Sequence, residues 1–138
     1  MRNAERYNFT PIANEFGEVS LKPFLPITLL HQGRAIDVSG LLDSGADVNV
    51  LPHHFGIELG AVWKPEMATI RLGGRLNQIP AIPIAIQATV GNFAAVRLAF
   101  AWAENDQVPV LLGQVNFLME FDVCLYRARQ AFEICPKL

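Results

Sequence analysis

The chain has 138 residues, of which 51% are apolar and 17% charged, with a formal net charge of −2. That is the length of one domain, apolar enough to bury a core and too apolar for disorder. There is no Lys/Arg block to suit nucleic acid, no apolar run long enough to span a bilayer, and no apolar N-terminal segment of the secretory kind.

Residues 1–20 are polar and irregular, and read as an N-terminal arm ahead of a folded domain at 21–138. From there the chain reads as strands. Phe24–His31 and Arg34–Leu42 flank Gln32-Gly33, a tight hairpin turn. Asp47–Leu51 alternates with period two and stops at Pro52, and His53–Leu59 forms a helical turn closed by Gly60. Ala68–Leu72 and Leu76–Ile79 flank Gly73-Gly74, a second hairpin; Ile82–Val90 and Phe93–Trp102 flank Gly91-Asn92, a third. After the polar loop 103–107 come an apolar strand, Val108–Leu112, a helix over Gln114–Phe121, and a last hairpin of Asp122–Tyr126 and Ala131–Ile134. Short, β-branched strands with Gly-marked turns predict an all-β barrel or sandwich with short helices.

The chemistry concentrates at Asp43, where the apolar strand end Gly40-Leu-Leu runs into Asp43-Ser-Gly-Ala46. Gly45 permits a sharp turn that brings backbone N–H groups to the carboxylate, and Ser44 offers a hydroxyl to a neighbouring backbone group. A carboxylate fixed by a turn, with one oxygen free, suits activation of water. Taken alone, the tripeptide is better explained by an ordinary turn, because Asp and Ser bond their own backbone and Gly takes positive φ.

Three elements together resemble the retroviral-type aspartic proteases, particularly the retropepsin-like proteins of bacteria. They are Leu41-Leu-Asp-Ser-Gly-Ala-Asp47, the Gly-tipped hairpin Thr69–Arg75 about thirty residues on, and Leu111-Leu-Gly113 leading into a helix. The segment Phe117–Val123 adds to the bacterial likeness, and the resemblance covers residues 22–135. It implies a closed β-barrel with one short C-terminal helix that acts as a two-fold homodimer, since the family's site needs two facing aspartates and this chain has one Asp-Ser-Gly loop. It implies an endopeptidase with Asp43 catalytic, Ser44 and Gly45 supporting the loop, and no metal or cofactor. Ala46, Asp47, Leu72, Gly73, Gly74, Val110 and Leu111 would meet a peptide or protein substrate, with Leu72–Gly74 as the tip of a flap. Retroviral members place Arg after the third-element Gly, to pair with the Asp at position 47; here that residue is Gln114, which can hydrogen-bond to Asp47 without supplying charge. The competing class is a retropepsin-like barrel that binds peptides or dimerises without catalysis.

Other features read as structural. Adjacent His53 and His54 point in different directions and make a poor metal pair, better suited to an exposed helix start. Trp63 and Trp102 suit core or interface packing. Cys124 and Cys135 are too few for a disulfide framework and read as two buried thiols, which fits a cytoplasmic protein; a cross-strand bridge is the other option. The high apolar fraction for a small chain is consistent with a surface covered by a second copy.

Overall fold

In the computed structural model, which describes residues 3–138, the first barrel hairpin turns at Gln32 and Gly33, both with positive φ (48° and 81°). Two consecutive left-handed residues are what a two-residue turn needs to match the twist of its strands. The strands in chain order are β1 (Glu5–Asn8), β2 (Thr10–Ala13), β3 (Val19–Lys22), β4 (Phe24–His31), β5 (Arg34–Leu42) and β6 (Asn49–Leu51). After helix α1 (His53–Glu58) come β7 (Ile70–Leu72), β8 (Ile79–Thr89), β9 (Val96–Ala103) and β10 (Leu111–Leu112). Helix α2 (Phe117–Glu120), β11 (Phe121–Tyr126) and β12 (Ala131–Pro136) complete the chain.

Six strands close a barrel in the order β4-β5-β10-β6-β9-β8, with β8 returning to pair with β4. The sheet is mixed. β10 runs parallel to β5 and antiparallel to β6, and β6 runs parallel to β9. The insertion of β10 between β5 and β6 forces the connection 43–48 to cross over the end of β10, which places Asp43 there.

The alternation of β10 and β9 sorts side chains into two clusters. Leu112, Phe100 and Trp102 enter the main core with Leu25, Leu29, Ile86 and Leu98. Leu111, Ala101 and Ala103 enter a second cluster with Val50, Leu72 and Val108. Strands buried on both faces read as continuous apolar runs. Each large side chain removed from water contributes about 1.5–3 kcal/mol, so these clusters dominate the stability of the fold.

Residues 5–13 are more ordered than the composition of the N-terminal arm suggests. β1 pairs with β12 in a separate β1-β12-β11 sheet, with Glu5 opposite Ile134 and Tyr7 opposite Phe132. Tyr7 stacks on Phe132 at 5.4 Å between ring centroids and donates its hydroxyl to Glu5 at 2.9 Å. Burial and the Glu5 carboxylate push the Tyr7 hydroxyl up to about 12. Only one aromatic residue marks this strand in the sequence; the edge of β12 supplies the rest. The β2–β3 hairpin stands apart as a two-stranded sheet, exposed except at Leu21.

Several predicted elements change length for local reasons. The apolar run 108–112 yields strand only at Leu111–Leu112, since Pro109 has no N–H to give to a ladder. The runs 76–79 and 82–90 fuse in part into the eleven-residue β8. The helix expected over 114–121 is one turn, because residues 113–116 are committed to contacts described below. His53 is half-buried, stacked on Trp102 at 5.4 Å and meeting Trp63 edge-on, so it is not the solvated residue expected, whereas His54 is exposed at the start of α1 as expected and bonds Asp106 at 2.8 Å. Both cysteines are free thiols, Cys135 buried and Cys124 partly so. No helix among the described residues is long and apolar enough to cross a membrane.

Candidate active site

Asp43 emerges where β5 ends. Its N–H donates to the carbonyl of Leu112 at 3.1 Å, the last rung between β5 and β10. One rung back, Leu41 N–H donates to Val110 O at 2.9 Å. Gly40 lets the two strands approach: a Cβ there would lie 2.7 Å from Leu112 Cδ1. The carboxylate is therefore carried on a buried, laddered strand end and not on a free loop.

The turn itself holds the carboxylate. Gly45 N–H donates to Asp43 Oδ1 at 2.9 Å, and Ala46 N–H donates to the Asp43 carbonyl at 3.1 Å. A Cβ at Gly45 would stand 3.2 Å from that same Oδ1, so a side chain would crowd the oxygen. Asp43 is half-buried, while Ser44 and Gly45 are exposed.

A second segment clamps the turn from β10. Gln114 N–H donates to Ala46 O at 2.9 Å and Val115 N–H to Asp47 O at 3.0 Å. The Gln114 side chain donates from Nε2 to the Ser44 carbonyl at 2.8 Å. Its partner is thus Ser44, not the Asp47 side chain that the sequence suggested. Among the described residues no cation lies within ion-pair distance of Asp47. Gly113 lies flush beneath the turn, where a Cβ would come 2.6 Å from Ala46 O and 2.7 Å from Val48 O.

The remaining predicted site residues separate into two groups. Ala46, Leu72 and Leu111 belong to one cluster, with Val48 and Ile79 beside them. Val110 points the other way, into the main core, so it does not share a wall with Leu111. Leu72 is buried, whereas Gly73 and Gly74 are exposed at the start of the β7–β8 turn, with Gly74 at φ 58°. That turn is longer than a two-residue hairpin: Leu72 pairs with Ile79, and residues 74–76 form a single 3-10 turn between them.

Two residues of this region were not singled out in the sequence. Asn49 and Asn116 lie behind the clamp and join it to β9 through their side-chain amides. The available signal was an Asn inside the apolar strand Val-Asn-Val-Leu, a polar residue that a core tolerates only when hydrogen-bonded. Nothing in the described residues groups three or more His, Cys, Asp or Glu as a metal cage. Two surface concavities, at the β4–β5 turn with Gln87 and around Phe93 with Pro136, do not include Asp43.

A scan against protein-family models and a search of curated proteins find no match. Among solved structures, the chain is similar to the crystal structure of a retropepsin-like aspartic protease from Rickettsia conorii. The match has a TM-score of 0.56 and 17% sequence identity, and covers 96% of this chain and 92% of that one. A likeness at that identity is one of fold, and with the closed six-stranded barrel it shows that this chain has the retropepsin-like fold.

Proposed function

We propose that the protein is an aspartic endopeptidase, active as a homodimer in which the Asp43 carboxylates of two copies face each other. The observation that carries this reading is the mounting of Asp43. Its strand is laddered to β10, its Oδ1 is held by Gly45 N–H at 2.9 Å, and its loop is clamped by Gln114 and Val115, on a fold shared with a retropepsin-like aspartic protease.

Two carboxylates about 3 Å apart cannot both ionise readily, so one proton is shared between them. The ionised member accepts a proton from water as the water oxygen bonds to the peptide carbonyl carbon; the protonated member donates to the carbonyl oxygen. The tetrahedral intermediate then collapses as the C–N bond breaks: the carboxyl that gained water's proton passes it to the leaving amine, and the other carboxylate takes a hydroxyl proton back, restoring the shared-proton pair. Ser44, exposed beside Asp43, is placed in this reading to bond the partner copy's loop. Gly45 and Asp47 meet substrate backbone, Ala46, Leu72 and Leu111 form an apolar wall, and Gly73 and Gly74 close over an extended peptide.

The test is cleavage of an unstructured protein between pH 3 and 8 by wild type, Asp43→Asn and Asp43→Ala. Cleavage by wild type alone, with a bell-shaped pH dependence, is expected; equal cleavage by all three removes Asp43 from the chemistry. A second reading, a peptide-binding or dimerising barrel without catalysis, is favoured by one observation: among the described residues Asp47 has no cationic partner, and the bonds that brace its loop there are neutral. Binding of a hydroxyl-bearing peptide mimic by a dimer that cuts nothing would select it.

A further inference from the structure

Among the described residues, Asn49 is the polar side chain that the core buries completely. Its amide makes three hydrogen bonds, to β9 and to the 113–116 connection that follows β10. Oδ1 accepts from Gly113 N–H at 2.8 Å, and Nδ2 donates to Ala99 O at 3.0 Å and to Asn116 Oδ1 at 3.3 Å. Asn116 lies along β9 just where β6 stops, since β6 pairs only with Phe100, Ala101 and Trp102. There its Oδ1 accepts from Ala99 N–H at 2.9 Å and its Nδ2 donates to Arg97 O at 3.0 Å. A side-chain amide thereby completes the edge that one more β6 residue would have paired.

We infer that Asn49 and Asn116 are positioning residues for the Asp43 loop, fixing its height above the barrel through Gly113. The path is one of direct contacts. β9 holds Asn116 and Asn49; Asn49 holds Gly113 N–H; Gly113 lies against Ala46 O with no room for a Cβ; and Ala46 N–H holds the Asp43 carbonyl. Neither asparagine touches Asp43. Chemistry explains the residue type: the buried Gly113 N–H needs an acceptor while Ala99 O needs a donor, and a neutral amide supplies both without a buried charge. Because a displacement of about 1 Å at a catalytic group can cost on the order of a hundredfold in rate, a brace so far from the chemistry can control turnover.

This inference rests on the proposed endopeptidase activity, so its test carries one readout that needs no turnover. Asn49→Ala and Asn116→Ala are compared with wild type and with Ile86→Val, a core change on β8, a strand that carries neither asparagine nor any of their hydrogen-bond partners. Amide hydrogen exchange is followed at Gly45, Ala46 and Gly113, with Leu29 and Ile86 as reference, and kcat and KM are measured separately. Expected are exchange at the three loop amides rising at least about tenfold more than at the reference amides, and kcat falling about ten- to a hundredfold with KM within about twofold. Exchange rising uniformly over the barrel, or kinetics matching Ile86→Val, overturns the inference. Should Asn49→Ala fail to fold, the part-buried Asn116→Ala decides alone. A wild type that cuts nothing while its variants show the selectively loosened loop sinks the endopeptidase reading and upholds the positioning role.

Discussion

Gln114 and Ser44, separated by 70 residues, meet through a 2.8 Å hydrogen bond from the Gln114 side-chain amide to the Ser44 carbonyl. The contact is neutral and exposed, and it acts on the backbone of the residue next to Asp43. This brace is insensitive to salt in a manner that an Arg–Asp brace is not, because neither the amide nor the carbonyl carries a net charge to be screened. Gln114→Ala removes a bond worth about 0.5–1.5 kcal/mol. Its expected effect is a loss of up to about tenfold in kcat/KM, with the ratio to wild type unchanged between low and high salt, measured on a peptide substrate.

The proposed pairing of two Asp43 carboxylates makes a quantitative prediction about mixtures. If wild type and Asp43→Asn subunits exchange freely, only pairs with two wild-type subunits carry the full dyad, so activity should follow the square of the wild-type fraction. A linear dependence in a titration of mixed subunits would show that one chain suffices.

Gly113→Ala should be among the most damaging single-methyl additions to the chain. The new Cβ would stand 2.6 Å from Ala46 O and 2.7 Å from Val48 O, both backbone atoms of the Asp43 loop. Overpacking of this kind typically costs about 1–3 kcal/mol. We expect a lowered midpoint in urea together with loss of activity, whereas Gly33→Ala, which has open space but a φ of 81°, should lose stability and keep its specific activity.

Hydrogen bonds from the His54 backbone N–H and ring hold the Asp106 carboxyl below the usual carboxylate range, tying α1 to the loop before β10. A carboxyl with a depressed folded pKa contributes stability that is present above its unfolded pKa and lost as the pH falls through the folded one. Both side chains are about half exposed, so the contribution is screened and amounts to about 0–1 kcal/mol. Asp106→Asn should therefore lower thermal stability slightly at pH 6, with the difference fading on acidification below the ordinary carboxylate range. Calorimetry at both ends of that window checks it.

The sequence exposed what depends on local chemistry. The β4–β5 hairpin is bounded as predicted because Gln32-Gly33 and strand alternation are local signals, and the Asp43 turn was legible because Gly45 follows it by two residues. Parallel pairing was not legible: the contacts of β10 with β5 join residues 70 apart, and nothing in Leu111-Leu112 states which neighbour each side will take. The two-way sorting of Val110 and Leu111 failed for the same reason, since an all-apolar run carries no period. Asn116 was hidden inside what looked like a helix start, its role set wholly by the edge of β9.

β8 carries a mechanical consequence. Residues 79–81 pair with β7, residues 81–88 with β9, and residues 87–89 with β4 at the barrel seam, all on one unbroken strand. At about 3.3 Å per residue this strand is a stiff beam of roughly 35 Å, paired along its whole length. Bending of the β7–β8 turn is thus resisted by the whole seam, and its compliance can be tuned at Thr28 and Thr89, at the opposite end of the strand.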